Sequence, residues 1–501
     1  MTDLPQAEIE SNRQRAVEAC RERGVLIPTF AEMRDPGTID RGILSQLRSV
    51  DPQAVHPFNL FRITWHNDVV TGEFGDVNVV EFPPSLTGVP ARIVGLVGKY
   101  FPTGAHKVGA AFGCLVPRLV NGEFDPTRHS AVWPSTGNYC RGGAFDSALL
   151  GCRAVAILPE EMSRERFTWL ESIGAEIITT PGGESNVKEI FDACADIRAN
   201  RPDAVVFNQF DEFGNYLWHY GVTGPAAEEA FMHVRGPHDR FAAWVGATGS
   251  AGTLAAGDYL KARFPGCTIT AAEALQCPTM LNIGYGDHRI EGIGDKHIPW
   301  IHNVRNTDLV TAIDDEAALR LLRLFNDPVG AEVLRSYDVD DTTIDNLPLL
   351  GISSICNVLS AIKTAKYFDL DHRDVVFISL TDSVDLYRTR LKELAASRGV
   401  YSATAAHVDL ERYLLGVGTD AVRELRYVDR KAIHNLKYFT WVEQQGKDVE
   451  SLNELWRPDF WHDLAGQLGE WDKRIDEFNR DTGVRNHINS ATAAGQQARD
   501  L

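Results

Sequence analysis

No run of apolar residues in this 501-residue chain approaches the roughly 18 that a membrane-spanning helix needs, and the polar opening over residues 1–23 has no secretory pattern. A cytoplasmic protein with no membrane partner is expected. Positive charge is scarce: 50 Lys and Arg stand against 69 Asp and Glu, a formal charge of -19. Such a surface repels nucleic acid and anionic lipid, so neither is an expected partner. The eight cysteines include no C-x-x-C pair, which disfavours a disulfide frame or a zinc site and leaves reduced thiols packed in the core, Cys140 included. His297 and His302 lack helical ligand spacing, so no metal is expected. There is no internal repeat, and no low-complexity linker divides the chain.

Apolar residues make up 44% of the sequence, enough to fill the cores of two or three domains. Short apolar runs alternate with amphipathic ones. Residues 154–159 read as a strand, 162–173 as a helix and 175–179 as a strand. That rhythm predicts α/β layers with parallel sheets, and a site in the cleft at the strands' carboxyl ends.

Four segments carry chemistry. The first is Gly104-Ala105-His106-Lys107, followed by the small, apolar run 108–116, which reads as a buried helix start. A Lys at such a place is an amine suited to hold an aldehyde as a Schiff base; the ordinary alternative is a surface Lys at a loop rim. The second is Pro134-Ser135-Thr136-Gly137-Asn138-Tyr139, lying between an apolar strand and a helix. Backbone N–H groups at a helix N-terminus, with two hydroxyls beside them, suit a carboxylate, although an ordinary capped turn reads the same way.

The third segment, 244–257, breaks from a strand into Gly246-Ala247-Thr248-Gly249-Ser250-Ala251-Gly252-Thr253 and then a helix. Small residues let backbone N–H groups close around a phosphate. No Lys follows the glycines, and their even spacing is not G-x-G-x-x-G, which disfavours nucleotide hydrolysis and dinucleotide binding. The fourth is the strand 375–380, ending in Thr381-Asp382-Ser383. A hydroxyl there can hydrogen-bond a heterocyclic nitrogen without protonating it, whereas a carboxylate would hold a pyridinium. Thr381 and Asp382 both stand at the right place.

Taken in order, these segments resemble the fold type II (β-family) pyridoxal phosphate (PLP) enzymes, the group of cysteine synthase, cystathionine β-synthase, threonine synthase and the tryptophan synthase β-subunit. Further matches are Asn208-Gln209-Phe210, Asn215, His219-Tyr220, Thr223-Gly224-Pro225, the segment 286–294 with Ile298-Pro299, and Gly351-Ile352-Ser353-Ser354. The resemblance covers roughly residues 90 to 390. It implies a tryptophan synthase β-like α/β fold of two parallel or mixed sheet domains, with PLP in the cleft and a helical C-terminal appendage. The expected divisions are a 1–89 extension contributing to the large domain, a smaller mobile domain at 90–234, a larger one at 235–395 and a helical extension at 396–501.

The resemblance also implies roles. Lys107 would form the Schiff base and act as the catalytic base; His106 would lie near the phosphate; Gly249, Ser250, Ala251, Gly252 and Thr253 would cradle it. Asn138 would bond the phenolic oxygen and Thr381 the ring nitrogen. Ser135, Thr136, Gly137, Asn138 and Gln209 would grip a substrate carboxylate. The reaction implied is α-proton removal from a small amino acid, followed by β-elimination or β-replacement through an aminoacrylate. A hydroxyamino-acid dehydratase, or the catalytic subunit of a two-component enzyme such as a thiolase with an accessory subunit, are the alternatives, and a homodimer is expected. The chain also departs from its relatives. Ser135 stands where tryptophan synthase β has a catalytic Glu, which argues against indole condensation, and Tyr139, Trp300 and His302 imply an altered pocket. Trp441, Trp456, Trp461 and Trp471 in the tail imply packing against the core or a second subunit.

Overall fold

The computed structural model describes residues 4–488 apart from 136, 185 and 295. Among these residues the strands, in chain order, are β1 (Val79–Phe82), β2 (Arg92–Val97), β3 (Ser130–Pro134), β4 (Arg153–Pro159), β5 (Glu176–Thr180), β6 (Ala204–Val206), β7 (Arg240–Ala247), β8 (Thr268–Ala274), β9 (Leu309–Ile313), β10 (Asp374–Leu380) and β11 (Val422–Glu424). They form a seven-stranded sheet in the order β1-β2-β10-β7-β8-β9-β11 and a four-stranded sheet in the order β5-β4-β3-β6. The four-stranded sheet is wholly parallel. In the larger one only the edge strands β1 and β11 run antiparallel to their neighbours.

Strand β10 shows why the sequence folds this way. All seven of its residues are buried, because it lies between β2 and β7 with cores on both faces, and a strand covered twice reads as a continuous apolar run. Val375 and Phe377 join one core with Val94, Leu96, Phe241 and Trp244. Val376 and Ile378 join the other with Ile93, Val97, Ala243 and Val245. The pleat's period of two distributes one run of side chains between two cores.

The sheet boundary does not follow the sequence division at residue 90. Strand β2 pairs with β10 from Val375↔Arg92 to Leu380↔Val97, so residues 92–97 belong to the seven-stranded sheet, as does β1 from the N-terminal extension. The pairing partner, not nearness along the chain, determines the sheet.

The two units meet through the helix Lys107–Asn121, which packs on the helices Asn138–Leu150 and Phe213–Trp218. Glycines permit the approach. A Cβ on Gly214 would overlap the Gly113 carbonyl, and one on Gly109 would overlap the Trp218 ring.

Both ends of the chain cover the core. Asn479, in the helix Leu468–Thr482, exchanges two hydrogen bonds with the backbone of Ile27, at 2.8 and 3.1 Å, and Ile475 and Phe478 are buried in the main core. Trp441 is fully buried, its indole N–H donating to the Ile298 carbonyl at 2.8 Å. Among the described residues after 396, the regular elements are helices apart from β11.

Candidate active site

The helix Lys107–Asn121 starts from a strained turn. Thr103 and Gly104 both have left-handed backbone angles, φ 71° and 74°, and a threonine is disfavoured there because its Cβ crowds the backbone. The turn is tied on both sides: Arg141 donates to the Thr103 carbonyl at 2.8 Å, and the Thr103 N–H donates to Gln53 Oε1 at 3.2 Å. It delivers a fully buried His106 and a half-buried Lys107 to the carboxyl end of β10. There the His106 N–H donates to the Thr381 carbonyl at 3.3 Å, and His106 Nε2 lies 3.3 Å from Thr381 Oγ1.

Lys107 Nζ donates to Gln209 Oε1 at 3.1 Å and to Ser250 Oγ at 3.2 Å. Gln209 Nε2 donates to Ser135 Oγ at 3.3 Å, which also accepts the Gly137 N–H at 3.1 Å. Asn215 Nδ2 donates both to Ser250 Oγ and to the Gln209 carbonyl, each at 3.0 Å. The amine thus meets Gln209 and, 143 positions away in sequence, Ser250 of the glycine turn, and the Ser135 loop joins this network through Gln209. Thr136 lies outside the described residues.

The glycine turn has room only for bare backbone. A Cβ on Gly249 would stand 2.8 Å from the Gly292 carbonyl oxygen, and one on Gly252 would overlap Asn215 Oδ1. Ala251 has φ 61°, and the helix Leu254–Arg263 begins immediately after Thr253, its positive dipole end directed at the turn, while the N–H groups of Leu254, Ala255 and Ala256 donate to the carbonyls of Ala251, Gly252 and Thr253 at 3.0–3.1 Å. His106, Lys107, Gly249, Ser250, Thr253 and Thr381 line one cavity. His106 Nδ1 is buried without a partner. Burial, with the neighbouring Lys107 charge, holds the His106 imidazole down to about 3, so a neutral ring faces this space. An amine, a glycine turn at a helix N-terminus and an orphaned ring nitrogen fit an aldehyde-bearing phosphate ester.

Thr381 and Asp382 point to different work. Thr381 lines the cavity, whereas Asp382 Oδ2 accepts from Asn138 Nδ2 at 2.6 Å and from the Tyr387 hydroxyl at 2.8 Å. Arg166 donates to that hydroxyl at 3.1 Å and pairs with Glu291, which also binds Arg390 at 2.6 Å. Burial pushes the Asp382 carboxyl up, opposed first by Arg166. Burial, with Arg166 adding, lowers Arg141 to about 10. Sequence reasoning missed Arg141, Arg166 and Tyr387: each looks like an ordinary helix residue until the fold buries it against the Asn138 loop. Cys140 is buried, with burial raising its thiol to about 12 and its Sγ–H donating to the Gly137 carbonyl at 2.9 Å, consistent with packing.

Residues 99–330 match the family model described as pyridoxal-phosphate dependent enzyme; the chain is a PLP-dependent enzyme, and its fold matches that of cysteine synthase-like PLP enzymes. The chain is 28% identical over 287 residues to a probable cysteine synthase of Bacillus subtilis, covering 57% of this chain and 85% of that one. It is 25% identical over 316 residues to the cystathionine beta-synthase of Saccharomyces cerevisiae, covering 61% and 59%. Among solved structures it is similar to a hydrogen sulfide-producing enzyme of Fusobacterium nucleatum in complex with an alpha-aminoacrylate intermediate, with TM-score 0.54, 22% identity and coverage of 70% and 93%. No helix among the described residues is long and apolar enough to cross a membrane.

Proposed function

We propose that this enzyme removes the α-proton of a small amino acid and expels its β-substituent, the reaction ending in β-replacement by a nucleophile or in elimination. The observation that carries this reading is Lys107 Nζ, in hydrogen-bond reach of Ser250 in the glycine turn and of Gln209, which in turn bonds Ser135. One amine therefore stands between a phosphate cradle and a carboxylate loop, where a base for the α-carbon must be.

When bound, PLP supplies the electron sink that makes an α-proton removable. Gly249, Ser250, Ala251, Gly252 and Thr253 would hold its phosphate with His106 beside them, Lys107 its aldehyde, Asn138 its phenolic oxygen and Thr381 its ring nitrogen. A neutral hydroxyl at Thr381 leaves that ring unprotonated, a weaker sink that favours loss of a β-substituent. Ser135 Oγ already accepts two hydrogen bonds, which leaves its own proton to donate to a substrate carboxylate. Gln209, Gly137 and Asn138 would complete that grip. Lys107 carries the proton: its neutral amine takes it from the α-carbon and returns it when the product forms. The named activities of the Bacillus and yeast relatives, and the aminoacrylate held by the Fusobacterium enzyme, support this chemistry.

The test is the absorption spectrum of the purified enzyme titrated with O-acetylserine, serine, threonine and cysteine. A cofactor band that shifts with one of them identifies the leaving group. A shift with threonine alone favours a dehydratase. A band that no amino acid moves, with no turnover, overturns the reading.

A further inference from the structure

A second cleft, of about 290 Å³, opens where the C-terminal extension meets the core, a size near the lower end for small-molecule sites. Tyr216, Tyr220 and Trp461 supply aromatic walls, with Asp258 and Arg305 beside them. The Tyr216 and Tyr220 rings are stacked 6.0 Å apart, and Tyr216 lies 5.0 Å from Trp461.

Asp258 is held by neutral donors alone. It accepts from the Tyr216 hydroxyl at 2.8 Å, from Asn303 Nδ2 at 2.9 Å and from Asn306 Nδ2 at 2.6 Å. Among the described residues no Lys or Arg forms an ion pair with it; nearby Lys261 pairs with Asp308 at 2.6 Å instead. Burial pushes the Asp258 carboxyl up to about 6, against those hydrogen bonds. It is a preorganised carboxylate whose neighbouring cation, Lys261, acts on it only from a distance and is paired with Asp308.

Arg305 is its counterpart. The guanidinium lies 5.5 Å over the Trp456 ring and donates to the Trp456 carbonyl at 2.9 Å. These contacts orient it while leaving it, among the described residues, without an acidic partner. One cleft therefore holds an anion, an uncompensated cation and an aromatic wall.

We propose that this cleft binds a free α-amino acid as its zwitterion, with the ammonium on Asp258, the carboxylate on Arg305 and an apolar or aromatic side chain against Tyr216, Tyr220 and Trp461. The ammonium also gains from the ring faces, and the carboxylate from the planar fork of the guanidinium. The site is separate from the Lys107 cavity yet shares a helix with it. Tyr216 faces the second cleft, while its neighbour Asn215 bonds Ser250 and Gln209. An occupant would press on the helix that orders the Lys107 network.

The experiment is calorimetric titration of the holoenzyme with L-phenylalanine and L-leucine, the cofactor absorption being recorded in the same samples. Occupancy of the Lys107 cavity moves the cofactor band; occupancy of the second cleft gives saturable heat without it. Asp258→Asn and Arg305→Ala should each weaken the band-silent event by roughly tenfold or more, since each removes a charge-assisted bond, with Arg305→Lys restoring part of it. Phenethylamine and 3-phenylpropionate, each lacking one charge, should bind at least about tenfold more weakly. Arg305 is exposed, so its loss leaves the fold intact. Equal binding by wild type and both variants, equal binding of phenethylamine and phenylalanine, or no band-silent heat would overturn the assignment. Because the heat is read apart from the cofactor band, failure here is distinct from failure of the proposed reaction.

Discussion

Asn138 Nδ2 donates a 2.6 Å hydrogen bond to Asp382 Oδ2, joining the loop after β3 to the loop after β10 and so one sheet to the other. Asp382 is fully buried, and Arg166 and Arg141 are among the causes that lower its raised pKa. Removing its carboxylate strips the Asn138 amide and the buried Tyr387 hydroxyl of their acceptor and takes away a negative charge that offsets the buried Arg141. Asp382→Ala should therefore destabilise the protein by about 3–5 kcal/mol, and Asp382→Asn by less because it keeps an acceptor. Urea unfolding checks this, and a loss under about 1 kcal/mol for the alanine variant would show that the cluster is already compensated elsewhere.

Gly252→Ala tests the phosphate cradle. The added methyl would overlap Asn215 Oδ1, displacing the side chain that bonds Ser250. Cofactor retention after dialysis, read from absorbance, should fall by roughly tenfold or more, as expected when a phosphate's backbone contacts are shifted. Unchanged retention would place the phosphate elsewhere.

Trp441→Ala tests the extension. The indole is fully buried against Phe191, His297 and Trp300 and bonded to the Ile298 carbonyl. Its loss should cost about 3–5 kcal/mol. Thermal unfolding should show one lowered transition if the extension unfolds with the core, and a separate early transition if it unfolds alone.

His297 sets a pH dependence. Burial holds its imidazole down to about 3, so between the ordinary value near 6.5 and about 3 the unfolded chain binds a proton that the folded chain does not. Stability then falls as pH falls through that window, by about 1.4 kcal/mol per pH unit for this one group. His297→Gln should flatten the acid limb by about one proton, read from unfolding free energies between roughly pH 6 and 4. An unchanged slope would mean that the folded ring is already charged.

Much of this arrangement is legible along the chain. Residues 154–159, 162–173 and 175–179 read as strand, helix and strand, and the structure has Arg153–Pro159, Arg164–Ser172 and Glu176–Thr180. Hydrophobic period and turn residues are local properties that the backbone must satisfy wherever the segment ends up. The order of the lysine, asparagine-loop and glycine segments was legible for the same reason.

What the sequence determined by itself was local: the α/β alternation, the glycine turn before a helix, the amine at a helix start and a hydroxyl-bearing loop between a strand and a helix, each set by residue types a few positions apart. Only the tertiary structure decided that β2 joins the seven-stranded sheet, that Arg166 and Tyr387 stand behind the Asn138 loop, that Asp382 serves that loop while Thr381 lines the cavity, and that the extension builds a cleft around Asp258. Those depend on burial and pairing between distant segments. An arginine or an aspartate has the same letter in water as in a core, and its charge acquires consequence only when folding removes the water.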